Sequence, residues 1–196
     1  MAGFQSFATL ALAGSLLSGC MAMTPPVDVT RFHNAQVAPI VPGSITIKAN
    51  VTDDGPGHSI EYASYSAALL RELQRVGFTE ARDNSENSDY VARYTLERAV
   101  LTAGGARSPV SVGVGGSTGS YGSGVGLSGP PKDKIVTDLS VRIAKRIDGN
   151  VVWEGRASIE AKEGSPASQP GLAAAKLAEA LFKDFPGESG TTIRVK

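Results

Sequence analysis

Ile135-Val136-Thr137-Asp138-Leu139-Ser140-Val141-Arg142-Ile143-Ala144-Lys145-Arg146-Ile147-Asp148-Gly149-Asn150-Val151-Val152-Trp153-Glu154-Gly155-Arg156-Ala157-Ser158-Ile159-Glu160-Ala161 is the stretch that decides the fold. Ile135, Leu139, Val141, Ile143 and Ile147 stand at alternating positions on the first arm. Val151, Trp153, Ala157, Ile159 and Ala161 do the same on the second. Successive side chains of a strand point to opposite faces, so each arm has one apolar and one wet face. Asp148-Gly149-Asn150 between them is turn chemistry. A three-residue loop would set Ile147 against Val151 and keep both apolar sets together, whereas a two-residue loop would part them. The expected connection therefore has Asn150 in a left-handed conformation, serving a bulge. That register sets Arg142 opposite Arg156, a like-charge pair relieved by Glu154.

Upstream, Ser44-Ile45-Thr46-Ile47-Lys48 alternates and is β-branched, and Asp53-Asp54-Gly55-Pro56-Gly57 ends it. A helix is predicted from about Ser59 to Val76, with Tyr62, Leu69, Leu73 and Val76 on one face, Ser66 in the stripe and Leu70 beside it. Gly77 supplies a left-handed residue after it, and Phe78 folds back on Leu73. His58 and Glu61 have capping-box spacing at its start. Asp89 to Leu101 reads as a strand with Tyr90, Ala92, Tyr94, Leu96 and Val100 on one face and Arg93, Thr95 and Glu97 on the other.

Downstream, Ser165 to Gln169 leads into a helix over roughly Pro170 to Phe185, whose inner face is Ala174, Leu177, Ala178, Leu181, Phe182 and Phe185. Pro186-Gly187 stops it, and Thr191 to Lys196 alternates as an edge strand. The expected fold is an α+β two-layer sandwich over residues 44–196. Its sheet has four to six strands, antiparallel with a mixed arrangement allowed, and carries two helices on one face.

Residues 104–129 hold ten glycines, among them Gly113, Gly115, Gly122, Gly124 and Gly126. The segment is no phosphate loop, since no Gly-Lys-Ser/Thr ending and no strand-to-helix glycine fingerprint occurs. Two readings stand side by side: a flexible hairpin with a glycine face and a turn near Ser117-Thr118, or a loop without structure. A glycine face lets another backbone approach, so those five glycines are the candidate interaction surface.

The N-terminus carries a nameable chemistry. Phe7 to Leu17 is an apolar run of signal-peptide length, too short to span roughly 30 Å of hydrocarbon. Ser18 and Gly19 are small enough to enter a peptidase, and Cys20 is the chain's single cysteine. Leu17-Ser18-Gly19-Cys20 resembles the bacterial lipoprotein lipobox at all four positions. The resemblance implies cleavage before Cys20 and modification to an N-palmitoyl, S-diacylglycerol cysteine. Residues 1–19 are then the signal peptide. The segment Met1–Ser6 holds no Lys or Arg, so either the amino group supplies the usual positive charge or the true start lies upstream. Two or three acyl chains, at about 0.8 kcal/mol per buried CH₂, hold a protein on a membrane where one would not. Residues 20–43, with Pro25, Pro26, Pro39 and Pro42, read as the tether, with an extended piece at Val27–Phe32. Met21 after the anchor, by resemblance to Gram-negative lipoproteins, favours outer-membrane sorting with the domain in the periplasm.

Nineteen basic and nineteen acidic residues cancel, so no basic excess points to nucleic acid. One cysteine excludes an internal disulfide, and two distant histidines with one cysteine do not make a structural metal site. No cofactor is implied.

The order of elements resembles the bacterial lipoprotein family "domain of unknown function 4136", over roughly residues 27–187. The matching features are Leu73…Gly77-Phe78, Ser88-Asp89-Tyr90-Val91, the glycine-rich insert, Asp148-Gly149-Asn150-Val151-Val152-Trp153-Glu154-Gly155 and Leu181-Phe182-Lys183-Asp184-Phe185-Pro186. The resemblance implies an envelope lipoprotein without assigned catalytic residues. Three functions follow for weighing. The first is a non-catalytic domain, anchored to the membrane through Cys20, that binds an envelope protein partner. The second is a carrier of an apolar or lipid ligand: small residues such as Gly155 and Ala157 leave room for it unless the facing aromatics fill that room, which is the expectation. The third is an envelope hydrolase. It would have to draw on His33, His58, Gly122-Ser123-Gly124, Asp138 or Glu160, none of which forms a nucleophile-and-base frame.

Overall fold

In a computed structural model of the chain, the described residues are 24–33, 39–50, 58–81, 87–102, 107–109 and 133–196. The strands are β1 (Val27–His33), β2 (Ser44–Ala49), β3 (Thr79–Glu80), β4 (Tyr90–Leu101), β5 (Arg107–Pro109), β6 (Lys134–Lys145), β7 (Val151–Lys162) and β8 (Thr192–Val195). The helices are α1 (His58–Arg75) and α2 (Pro170–Phe182). Seven strands follow one another in the order β3-β2-β4-β6-β7-β1-β8, and β5 pairs with β4 off that path.

The fold is therefore α+β, with both helices on one face of an open sheet, but the sheet is larger than the four to six strands expected, and it is mixed. β2 runs parallel to both β3 and β4, and every other pairing is antiparallel. The parallel pairs arise because α1 returns the chain to the end of the sheet from which β2 started. The extra width comes largely from β1. The extended piece expected at Val27–Phe32 is there, but it is no part of a tether: it is a strand hydrogen-bonded to β7 on one side and β8 on the other. Val27 and Val29 are buried, so the folded unit reaches back to Val27. β8 is the edge strand that the alternation of Thr191 to Lys196 suggested.

The β6–β7 hairpin keeps its apolar sets together from Ile135 to Ile143 and from Trp153 to Ala161, but in a different register, and Val151, 45% exposed, leaves its set. Ile143 faces Trp153, Val141 faces Gly155 and Leu139 faces Ala157, and the ladder then slips so that Ala144 faces Val151. Val152 is the extra residue of that bulge. Ile147 does not pair with Val151; it is 93% exposed. Gly149, not Asn150, takes the positive φ of 71°. The Asp148 carboxylate explains this. Its Oδ1 accepts the Asn150 N–H at 3.0 Å, fixing Asn150 and leaving the left-handed position to the residue without a Cβ. The Arg142–Arg156 conflict disappears as well: Arg142 faces Glu154 with N···O 3.4 Å, and Arg156 faces Ser140.

α1 ends as its sequence dictates. The Gly77 N–H donates to Gln74 O and the Phe78 N–H to Leu73 O, both at 3.0 Å, with Gly77 at φ 101°. Its buried stripe is rotated from the expected one. Tyr65, Ala68, Leu69, Glu72 and Leu73 are buried, whereas Tyr62 and Val76 are only partly so. α1 packs on α2 as well as on the sheet, which widens the covered face toward residues 65, 68 and 72. The Glu61 carboxylate, expected at capping-box spacing, accepts a hydrogen bond from Arg98 Nη1 at 3.1 Å.

α2 buries Ala173, Ala174, Leu177, Ala178, Ala180, Leu181 and Phe182. It stops at Phe182, three residues earlier than expected, because Lys183 turns extended, Asp184 has φ 55° and Pro186 cannot continue a helix. Phe185 still joins the core. The Trp153 ring lies 5.1 Å from Phe182 and 5.4 Å from Phe185, centroid to centroid, and Trp153 Nε1 donates to Pro186 O at 3.0 Å.

Candidate functional site

Arg31 organises one end of the helical layer. It continues the inward set Val27, Val29 of β1 and is 3% exposed. Its Nε donates to Leu181 O at 2.9 Å and its Nη2 to Ala180 O at 2.8 Å. Arg75, from the last turn of α1, donates from Nη2 to Phe182 O at 3.2 Å. The last carbonyls of a helix lack intrahelical partners and carry partial negative charge, so two guanidinium groups here meet both needs. Burial lowers the Arg31 pKa from its ordinary value, and Asp184 opposes that shift. β1 also holds the chain after α2: the Gly190 N–H donates to Arg31 O, and His33 Nε2 to Gly187 O at 2.9 Å.

Beside this end lies an open groove of about 380 Å³ between α1, α2 and the β1–β8 edge. Its wall carries Arg71, Arg75, Lys176, Lys183 and Lys196 against Glu72 and Glu179. Glu72, 5% exposed, is engaged by Arg75 at 2.7 Å and Arg71 at 3.2 Å. Lys176 stands 4.0 Å from Glu179. Among the described residues no ion pair is formed by Lys183 or Lys196. The groove is thus a cationic surface at which α1, α2 and the root of β1 meet, and Pro25 forms part of its lining.

A second polar cluster lies half-buried between α1 and the sheet. Arg98 joins Glu61 and donates to Ser168 O at 2.9 Å, and the Tyr94 hydroxyl donates to Tyr62 O at 2.7 Å. Burial pushes the Tyr65 phenol upward, above the range in which it could titrate near neutrality.

Cys20 and the five glycines Gly113, Gly115, Gly122, Gly124 and Gly126 lie outside the described residues, as do Gly122-Ser123-Gly124 and the His58 side chain. The other residues weighed for hydrolysis are not brought together. His33 is bonded to Gly187 O at the end of β1, Asp138 lies on the helix-free face of β6, and Glu160 pairs with Lys134. Among the described residues no three of His, Cys, Asp and Glu gather as metal ligands. The facing aromatic side chain fills the space over Gly155, as expected. A Cβ there would meet Leu181 Cδ1 and Trp153 Cζ2, each at 2.9 Å, so the indole itself occupies the gap. Sequence reading missed Arg31 and the groove because it placed residues 20–43 in a tether; the alternation Val27, Val29, Arg31 was the available signal.

Residues 33–187 match the family described as "Domain of unknown function (DUF4136)". The uncharacterized protein ZMO1243 of Zymomonas mobilis is 30% identical over 220 residues, covering 88% of this chain and 81% of that one. Among solved structures, a PDZ domain protein from Parabacteroides distasonis aligns with TM-score 0.52 and 10% identity, over 87% of this chain and 39% of that chain. A PelC dodecamer from Paraburkholderia phytofirmans aligns with TM-score 0.43 and 13% identity, over 83% and 99%. At 10% identity the likeness to the PDZ domain protein concerns the fold alone.

Proposed function

The chain belongs to the family of domain of unknown function 4136, and from that premise we propose that it is an envelope lipoprotein whose non-catalytic domain binds an envelope protein partner. The carrying observation is Leu17-Ser18-Gly19-Cys20, closing the apolar run Phe7–Leu17 with the chain's single cysteine. The anchor is the acylated Cys20, and the membrane is the outer membrane, with the domain on its periplasmic side. Residues 21–26 alone separate Cys20 from β1, so the anchor enters the fold one strand in from the β8 edge. The tether is therefore short, and the domain rides close to the lipid. For the partner, the four-residue edge β8 offers a row of backbone groups to which an extended segment can add.

The test is metabolic palmitate labelling of the wild type and of Cys20→Ser, followed by membrane fractionation. Label and membrane retention are expected in the wild type and loss of both labelling and processing in the variant. Label retained by Cys20→Ser would overturn the assignment.

A further inference from the structure

We propose that the cationic groove between α1 and α2 is the surface the domain lays against the membrane, its lysines and arginines seating the phosphate groups of anionic lipid headgroups. This rests on the lipoprotein reading above and adds an orientation to it.

Two independent observations converge. The first is charge: five basic side chains face two acidic ones, and Arg71 and Arg75 already satisfy Glu72. Lys183 and Lys196 remain exposed and without an ion pair among the described residues. A protein of zero net charge has no general reason to collect cations in one place, so the cluster is local. The second is connectivity. Pro25 lines the same groove. Five residue steps from Cys20 to Pro25 reach at most roughly 18 Å even when fully extended. Acyl chains on Cys20 therefore tie the rim of this groove to within roughly 18 Å of the headgroups. Basic side chains at an anionic surface gain attraction that falls off within a Debye length, about 8 Å at physiological salt. A tether this short lets the groove come inside that range without leaving the membrane, and the charge then holds it there. Glu179, Asp184 and Glu188 are the exposed acids near this end of the molecule, and only Glu179 is part of the groove.

The experiment reconstitutes the purified lipoprotein into vesicles of phosphatidylcholine alone or with phosphatidylglycerol, recovers them by flotation, and reads acetylation of each lysine by mass spectrometry. Lys183 and Lys196 should react roughly fivefold more slowly in the anionic vesicles, the factor expected for a basic residue held at such a surface. Lys48 and Lys162, on the helix-free face, should react equally in both, and high salt should restore Lys183 and Lys196. Equal rates at Lys183 and Lys196 in vesicles that float overturn the orientation alone. Protection of Lys48 and Lys162 instead overturns it in favour of the opposite face. Protection by inorganic phosphate in neutral vesicles assigns the groove to free phosphate and overturns the membrane contact. A protein that floats with neither vesicle overturns the anchor, and this inference with it.

Discussion

Replacing Gly155 by Ala tests whether the core is filled or holds a ligand. Gly155 is in β7, facing Val141, with the Trp153 side chain folded along the strand above it. In extended backbone the change would ordinarily stabilise by about 0.4–1 kcal/mol, because alanine restricts the unfolded chain. Here the new methyl would meet Leu181 Cδ1 and Trp153 Cζ2, each at 2.9 Å. The indole cannot swing away cheaply, since Nε1 is bonded to Pro186 O and the ring is stacked on Phe182 at an interplanar angle of 20°. Overpacking a filled core costs about 1–3 kcal/mol, which outweighs the entropic gain. The expected net loss is about 1–2 kcal/mol, read as a lower urea midpoint at unchanged m-value. A double-mutant cycle with Trp153→Phe sharpens the test. Phe lacks the outer ring that collides, so the two changes together should cost less than their sum by about 1 kcal/mol. A Gly155→Ala protein that is neutral or more stable, with no coupling to Trp153, would refute this packing and return the apolar-carrier reading to the field.

Arg31→Met should destabilise by about 2–4 kcal/mol, because it leaves Ala180 O and Leu181 O buried without donors. Arg31→Lys, a point charge without the two-pronged fork, should recover only part of that in the same urea titration. Acid should loosen the β2–β4 junction. Asp89 is held below its usual pKa by the Ser44 hydroxyl and N–H, so its contribution is complete above the unfolded value near 3.8 and fades as pH falls through the lower folded value. Circular dichroism during acid titration should show Asp89→Ala with less acid-induced loss of stability than the wild type; an identical acid dependence would contradict the linkage.

Much of the fold could be read locally. Alternation placed β2, β4, β6 and β7, and Gly77 with Phe78 foretold the close of α1, because these signals depend on neighbours within a few residues. The errors fell where distant groups compete for a side chain. Glu61 has the spacing of a cap, yet Arg98 on β4 claims its carboxylate. Tyr62 and Val76 belong to the apolar stripe read for α1, yet they are only partly buried while Tyr65 is fully so. Asn150 seemed the left-handed residue until Asp148 took its N–H. The candidate site was less legible still. Arg71 and Arg75 come from α1, Lys176 from α2, and Lys183 and Lys196 directly follow α2 and β8, and no periodicity links them.

By itself the sequence determined the alternation of the central hairpin, the apolar sets that form the core, the family, and the expectation of an acylated Cys20, each written in contiguous residues. The tertiary structure alone decided that β1 is a strand of the sheet and not tether, and that Arg31 is the cap of α2. It also decided that cations far apart in the chain share one groove beside Pro25. A strand of seven residues gains its stability from ladders on both sides, and a buried guanidinium from carbonyls some 150 residues away. Those partners exist only once the chain has closed on itself.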